Sequence, residues 1–134
     1  MCVFCKIANH DIPSTAVYED EYVLAFLDIN PTSLGHTLII PKKHYDDFTQ
    51  CSSELVARIH GISKQLIKKY DVVLKPDGYN FLSNAKEAAG QSVAHVHFHL
   101  IPRYISGDGL DLHFNSQESY KLSTEQLNQI KSPQ

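Results

Sequence analysis

A chain of 134 residues, 43% hydrophobic and 20% charged, is long enough for one real core and has the composition of an ordinary soluble globule. Twelve Lys+Arg against 15 Asp+Glu leave a net charge of -3, which gives no general reason to expect nucleic-acid binding, so any anionic ligand must be held by a local site. No apolar run approaches the ~18 residues of a membrane span, the first residues lack the regions of a signal peptide, and three cysteines, an odd number, argue against a disulfide framework; the expectation is a cytoplasmic, membrane-free protein.

Cys2-Val3-Phe4-Cys5 opens the chain with Cys-x-x-Cys spacing. This is half a zinc site, short of two ligands, or a redox pair, although no thioredoxin-like βαβ unit follows. Residues 16–19 and 22–27, split by Asp20-Glu21, suit a hairpin. The turn-rich stretch from Asn30 to Gly35 leads to a buried strand, residues 36–40, which Pro41 should stop. Ser52 or Ser53 can cap a helix whose apolar positions Leu55, Ile59, Ile62, Leu66 and Tyr70 recur every three or four residues. That one long helix would cover a face of the sheet. Asp77-Gly78 is a turn, and residues 79–83 are a strand candidate running into Asn84.

Next comes His95-Val96-His97-Phe98-His99-Leu100-Ile101, closed by Pro102. Its alternation predicts a strand with the three histidines on one face and Ala94, Val96, Phe98 and Leu100 on the core face. Alternate side chains stand roughly 6.6 Å apart, so the outer rings, about 13 Å apart, cannot join the middle one on a single zinc with bonds of ~2 Å. The three rings must divide the labour. Gly107-Asp108-Gly109 breaks the chain, and Ser123 with Gln126 forms a capping box for a short last helix carrying Leu127 and Ile130. Nothing suggests a second domain.

Gly90-Gln91-Ser92-Val93 ahead of the histidine run, Phe26-Leu27-Asp28-Ile29, and the stretch from Gly35 through His44 together resemble the histidine triad (HIT) superfamily, in its Hint-like bacterial branch. The similarity spans about residues 2 to 105; the tail, 106–134, has no match in it. The resemblance implies a single α+β domain, roughly five antiparallel strands with one main helix, and a homodimer whose sheets join. It also implies a purine mononucleotide or nucleotidyl conjugate as ligand.

Residue by residue, the resemblance makes His97 the nucleophile on an α-phosphorus. His99 would stabilise charge or supply the leaving-group proton and favour hydrolysis over transfer. Ser92, Gln91, Val93, the amides after Gly90, and Asn84 would hold phosphate oxygens, and Asp28 the ribose. Phe4, Ile7, Phe26, Ile29 and Leu38 would line the base slot. Cys2, Cys5, His44 and His95 would form a closed, structural Cys2His2 zinc site. His36 is read either as an orienting neighbour or as a satisfied core histidine. Two other readings compete with the hydrolase: a zinc-water enzyme using the His-x-His pair, and a non-enzymatic nucleotide-sensing or scaffolding dimer.

Overall fold

The structure is a computed structural model and describes residues 2–133. Its centre is one antiparallel sheet in the order β1-β2-β3-β5-β4, with β1 Ala16–Glu19, β2 Val23–Leu27, β3 Thr37–Pro41, β4 Gly78–Leu82 and β5 Phe98–Arg103. The Asp20 carboxylate closes the first hairpin by accepting the amides of Tyr22 and Val23. Against the upward push of burial, the Tyr18 hydroxyl, the Arg58 guanidinium and these two amides hold its pKa at about 2.

The long helix, α2 (Ser53–Val73), is capped by Ser52, whose hydroxyl accepts the Leu55 amide. Its stripe Ile59, Ile62, Leu66 and Tyr70 packs with Val23, Ala25, Ile39, Val96, Phe98 and Leu100 into the main core. Tyr70 and Thr37 hydroxyls meet at 2.6 Å inside that core, and Thr37 donates onward to the Gly35 carbonyl. Gly35 sits at φ +90, where a Cβ would approach Leu74 Cδ1 to 2.6 Å, so only glycine fits.

The opposite sheet face, expected to present histidines, is also covered. A helix not foreseen in the sequence, α1 (Val3–Ala8), buries Phe4, Ile7 and Ala8 against Leu24, Phe26, Leu38 and Ile40. Six residues are too few to show a period, and its cap is the Cys2 sulfur, which accepts the Cys5 amide. Among the described residues no helix is long and apolar enough to cross a membrane.

Three expectations change. Strand β5 starts only at Phe98, so His95 and His97 precede it. Their segment is tied sideways instead: the Val96 amide donates to the Tyr45 carbonyl, and the last β3 pairing is Ile39 with Phe98. The prolines act differently from each other: β3 ends with Pro41 included, while β5 runs through Pro102. Pro102 lies opposite Tyr79, beyond the last β3 partner at Leu100, where the open side needs no further N–H. Ala94 is exposed rather than in the core. The capping-box helix forms as α3 (Thr124–Lys131), yet buries nothing.

Candidate functional site

His97 is 4% exposed, and its ring Nδ1 lies 2.8 Å from the His95 carbonyl oxygen. A carbonyl only accepts, so Nδ1 carries the hydrogen and Nε2 of the neutral ring keeps its lone pair. Ser83 secures this segment by donating to the His97 carbonyl at 2.7 Å. Phe4 meets the ring edge-on, centroids 5.0 Å apart, and meets Phe26 the same way. Ile7, Phe26 and Leu38 form one apolar wall with Phe4, and Val93 packs on it.

A second chain of rings leads to His99. The Thr32 amide donates to His36 Nδ1 at 3.1 Å, and His36 Nε2 lies 2.9 Å from His99 Nδ1. An amide only donates, which leaves the neutral His36 proton on Nε2. His36 then donates to His99 Nδ1, and the neutral His99 ring carries its own hydrogen on Nε2. Asp28 lies 3.7 Å from His36 Nε2, and its other oxygen accepts the Asn30 amide. Burial lowers the His36 pKa, against the pull of Asp28.

Burial, with His97 and His36 nearby, lowers the His99 pKa from 6.5 to about 4. His99 is therefore a neutral hydrogen-bond donor at pH 7, and an anion brought beside it would raise its proton affinity. The sign for stability follows: between those two values the unfolded chain binds the extra proton, so His99 costs stability as pH falls from 6.5 towards 4. Thermal unfolding midpoints should drop over this range less steeply in His99→Gln than in the parent. Equal slopes would remove His99 from the coupling.

The loop before the histidines is strained. Lys86 stands at φ 74, ψ 168, a region nearly reserved for glycine and worth roughly 1–3 kcal/mol. Gln91 holds it there: its side-chain oxygen accepts the Lys86 amide, while its NH2 donates to the carbonyls of Asp46 and Val93. The Gln91 side chain, expected to bond phosphate, is thus committed to main chain because the strained turn needs it. Gly90 is left-handed at φ +90. Ser92 is exposed in a cleft shared with Asp46, Lys86 and Glu87, and Asn84 is half-buried near Gly90. Ile29, expected in the base slot, is 91% exposed, lying past the end of β2.

The four predicted metal ligands converge. Sulfur to Nδ1 distances among Cys2, Cys5, His44 and His95 run from 3.3 to 3.6 Å, and the sulfurs are 3.1 Å apart. Tetrahedral zinc calls for about 3.6 Å between a sulfur and a nitrogen ligand. Both rings spend Nε2 elsewhere, His95 on the Pro41 carbonyl and His44 on Asp46, which leaves Nδ1 lone pairs aimed at the sulfurs. The cluster can bind a metal ion. His95 is fully buried and His44 is exposed, so the cluster bridges α1, the loop after β3 and the approach to His97.

Thr32, Ser83, Lys86 and Asp46 carry positioning roles the sequence did not disclose: Ser83 and Asp46 meet partners on other segments, and Thr32 and Lys86 meet theirs through turn geometry that residue spacing does not specify. His36 alone was flagged, as one of two readings.

Residues 9–105 match the family model described as the HIT domain. A HIT-like protein of Methanocaldococcus jannaschii is 51% identical over 134 residues, covering 98% of this chain and 99% of its own length. The adenosine 5'-monophosphoramidase of Schizosaccharomyces pombe is 42% identical over 126 residues, covering 94% and 90%. A crystal structure of a HIT family protein from Bacillus anthracis superposes with a TM-score of 0.85 at 41% identity, covering 96% of this chain and 91% of that one.

Proposed function

The chain belongs to the HIT domain family, and from that premise we propose a hydrolase of purine nucleoside phosphoramidates and related nucleotidyl conjugates acting through a nucleotidyl-histidine at His97. The observation that carries the reading is the bond from His97 Nδ1 to the His95 carbonyl, which leaves a fixed lone pair on Nε2. Nε2 attacks the α-phosphorus; the P–N bond to His97 forms as the bond to the leaving group breaks, and the departing atom takes a proton from solvent. Water then attacks the same phosphorus, the P–N bond to His97 breaks, and the nucleoside monophosphate, free imidazole and one proton returned to solvent are released. His99, donating from Nε2, stabilises the charge that builds on the phosphoryl oxygens.

Ser92, Val93, Asn84 and the amides following Gly90 hold the phosphate. Gln91 acts by keeping their loop in shape. Asp28 takes the ribose hydroxyls, and Phe4, Ile7, Phe26 and Leu38 the base. Ile29 contributes to the slot only by leaving its present exposed position.

Cys2, Cys5, His44 and His95 hold zinc. Four protein ligands leave no open position, so the ion is structural and pins α1 to the catalytic segment. Three free cysteines and thiol ligands suit the reducing cytoplasm. A homodimer gives a place to the exposed apolar side chains of the tail, Phe114, Tyr120, Leu122 and Ile130.

Incubation with adenosine 5'-phosphoramidate, an alkaline quench to spare the acid-labile P–N bond, and peptide mass spectrometry should find an adenylyl group on His97. An unmodified His97 peptide with no turnover would favour a nucleotide-sensing dimer.

A further inference from the structure

The segment following β5 is folded into a tight knot that the hydrolytic chemistry does not use. Arg103 grips Asp108 with two nitrogens, Nε at 2.9 Å and a terminal nitrogen at 3.1 Å, and that terminal nitrogen also donates to the Leu110 carbonyl. Its other terminal nitrogen reaches Asn80 on β4. The Asp108 carboxylate, 6% exposed, also accepts the amides of Tyr104 and Leu110. A paired, hydrogen-bonded carboxylate of this kind fixes backbone far better than an exposed ion pair.

The knot presents the Gly109 amide, which donates to the Thr32 carbonyl at 2.7 Å. A Cβ on Gly109 would stand 3.0 Å from that same oxygen. Tyr104 adds a second tie by donating its hydroxyl to the Leu34 carbonyl at 2.8 Å. The far side of Thr32 is the amide that donates to His36 Nδ1. So one short loop, residues 30–35, is held from outside by the knot and from inside touches the ring that touches His99.

We propose that Arg103, Asp108 and Gly109 are positioning residues that hold Thr32 so that its amide selects the His36 tautomer and thereby fixes which nitrogen of His99 faces the phosphate. The proposal rests on the hydrolase reading for its effect on turnover, but not for its effect on the rings. Were Thr32 to shift by a few tenths of an ångström, its amide would lose His36 Nδ1. That nitrogen would then be free to carry the proton and donate to the Thr32 hydroxyl at 3.3 Å. His36 Nε2 would become an acceptor, His99 Nδ1 would have to donate to it, and His99 Nε2 would face the phosphate without a hydrogen.

The test is nitrogen-15 NMR of the full chain, histidine-labelled, in the parent, Gly109→Ala, Asp108→Asn and Thr32→Ala. In the parent, His36 and His99 should each show an unprotonated Nδ1 and a protonated Nε2. In Gly109→Ala and Asp108→Asn the His36 signature should move towards a protonated Nδ1. The kcat for adenosine 5'-phosphoramidate should fall about tenfold while KM changes less than about twofold, as expected for a small misplacement of a group acting in the transition state. Thr32→Ala keeps the amide and should retain the parent tautomer.

Identical His36 spectra in parent, Gly109→Ala and Asp108→Asn, with unfolding temperatures showing all three folded, would overturn the proposal. So would a tautomer change in Thr32→Ala alone, which would give the hydroxyl the role assigned to the amide. A tautomer that responds as expected in a protein that never turns over the phosphoramidate would uphold the positioning and sink the hydrolase.

Discussion

His97→Ala is expected to lower turnover of adenosine 5'-phosphoramidate about 10⁴-fold or more, on the order of 5 kcal/mol of transition-state stabilisation, while nucleotide affinity changes by only a few fold. The asymmetry comes from where the ring acts. On the proposed reading, the contacts that hold the nucleotide are spread over the apolar wall, Asp28 and the loop after Gly90, whereas only the His97 lone pair makes the covalent bond. Neither neighbour on the same segment is set up to take its place: His95 has one nitrogen on the Pro41 carbonyl and the other among the sulfurs, and His99 has Nδ1 occupied by His36 and its hydrogen on Nε2. Because Phe4 packs on the ring, His97→Asn should accompany the alanine variant, so that a packing defect is separable from loss of the nucleophile. Steady-state rates and equilibrium dialysis with AMP decide the matter. A variant keeping more than about a tenth of parental turnover would mean that water attacks phosphorus directly.

Removing the proposed zinc is expected to destabilise the fold by on the order of 3–5 kcal/mol, a fraction of the ~10–16 kcal/mol that structural zinc sites contribute where metal alone holds the fold. The fraction is set by what the metal secures. Helix α1 is six residues long, too short to persist by itself, and its docking buries Phe4, Ile7 and Ala8 over β2 and β3. The main core beneath α2 involves none of these residues and should survive. Cys2→Ser should mimic chelation, costing both a ligand and the sulfur that caps α1; His44→Ala, at the exposed edge, should cost less.

Calorimetry with and without a strong chelator, alongside metal analysis of the protein as purified, gives the number. The time course separates two roles. With a structural ion, hydrolysis is lost only as α1 loosens and Phe4 leaves His97. Immediate loss in step with the metal, before any unfolding signal, would mean that the metal does the chemistry. Acid should weaken the site, since protons compete for both thiolates and both imidazole nitrogens.

These two experiments bear on residues that the sequence displayed in different ways. The first hairpin and the buried strand after it were visible because residues 16–19, 22–27 and 36–40 are runs rich in apolar and β-branched residues bounded by turns; that β3 pairs with β2 emerged only in the structure. Helix α2 showed itself through a stripe, Leu55 to Tyr70, sustained over about four turns. Helix α1 did not, since a single turn and a half carries no period and its cap is a cysteine, whose sulfur rarely serves that way. The alternation across residues 94–101 located the functional face but misjudged its hydrogen bonding. Periodicity reports which way side chains point, and the segment before Phe98 keeps that alternation while bonding to Tyr45 instead of to β3.

Composition and order along the chain were enough to place the first hairpin, the one long helix and the histidine-bearing segment, which follow from local pattern and residue chemistry; the α+β fold and the full set of four residues able to gather round a metal came from the resemblance to the HIT superfamily. Only the folded arrangement decided that the Gln91 side chain bonds main-chain groups of its own loop and of Asp46, that Ile29 is exposed, and that the Thr32 amide meets His36 Nδ1. The Gln91 bond joins residues 45 apart in the chain and the Thr32 bond closes a turn of only four, yet each depends on one donor meeting one acceptor. Such meetings are fixed by three-dimensional packing to within a few tenths of an ångström, a precision that no linear pattern encodes.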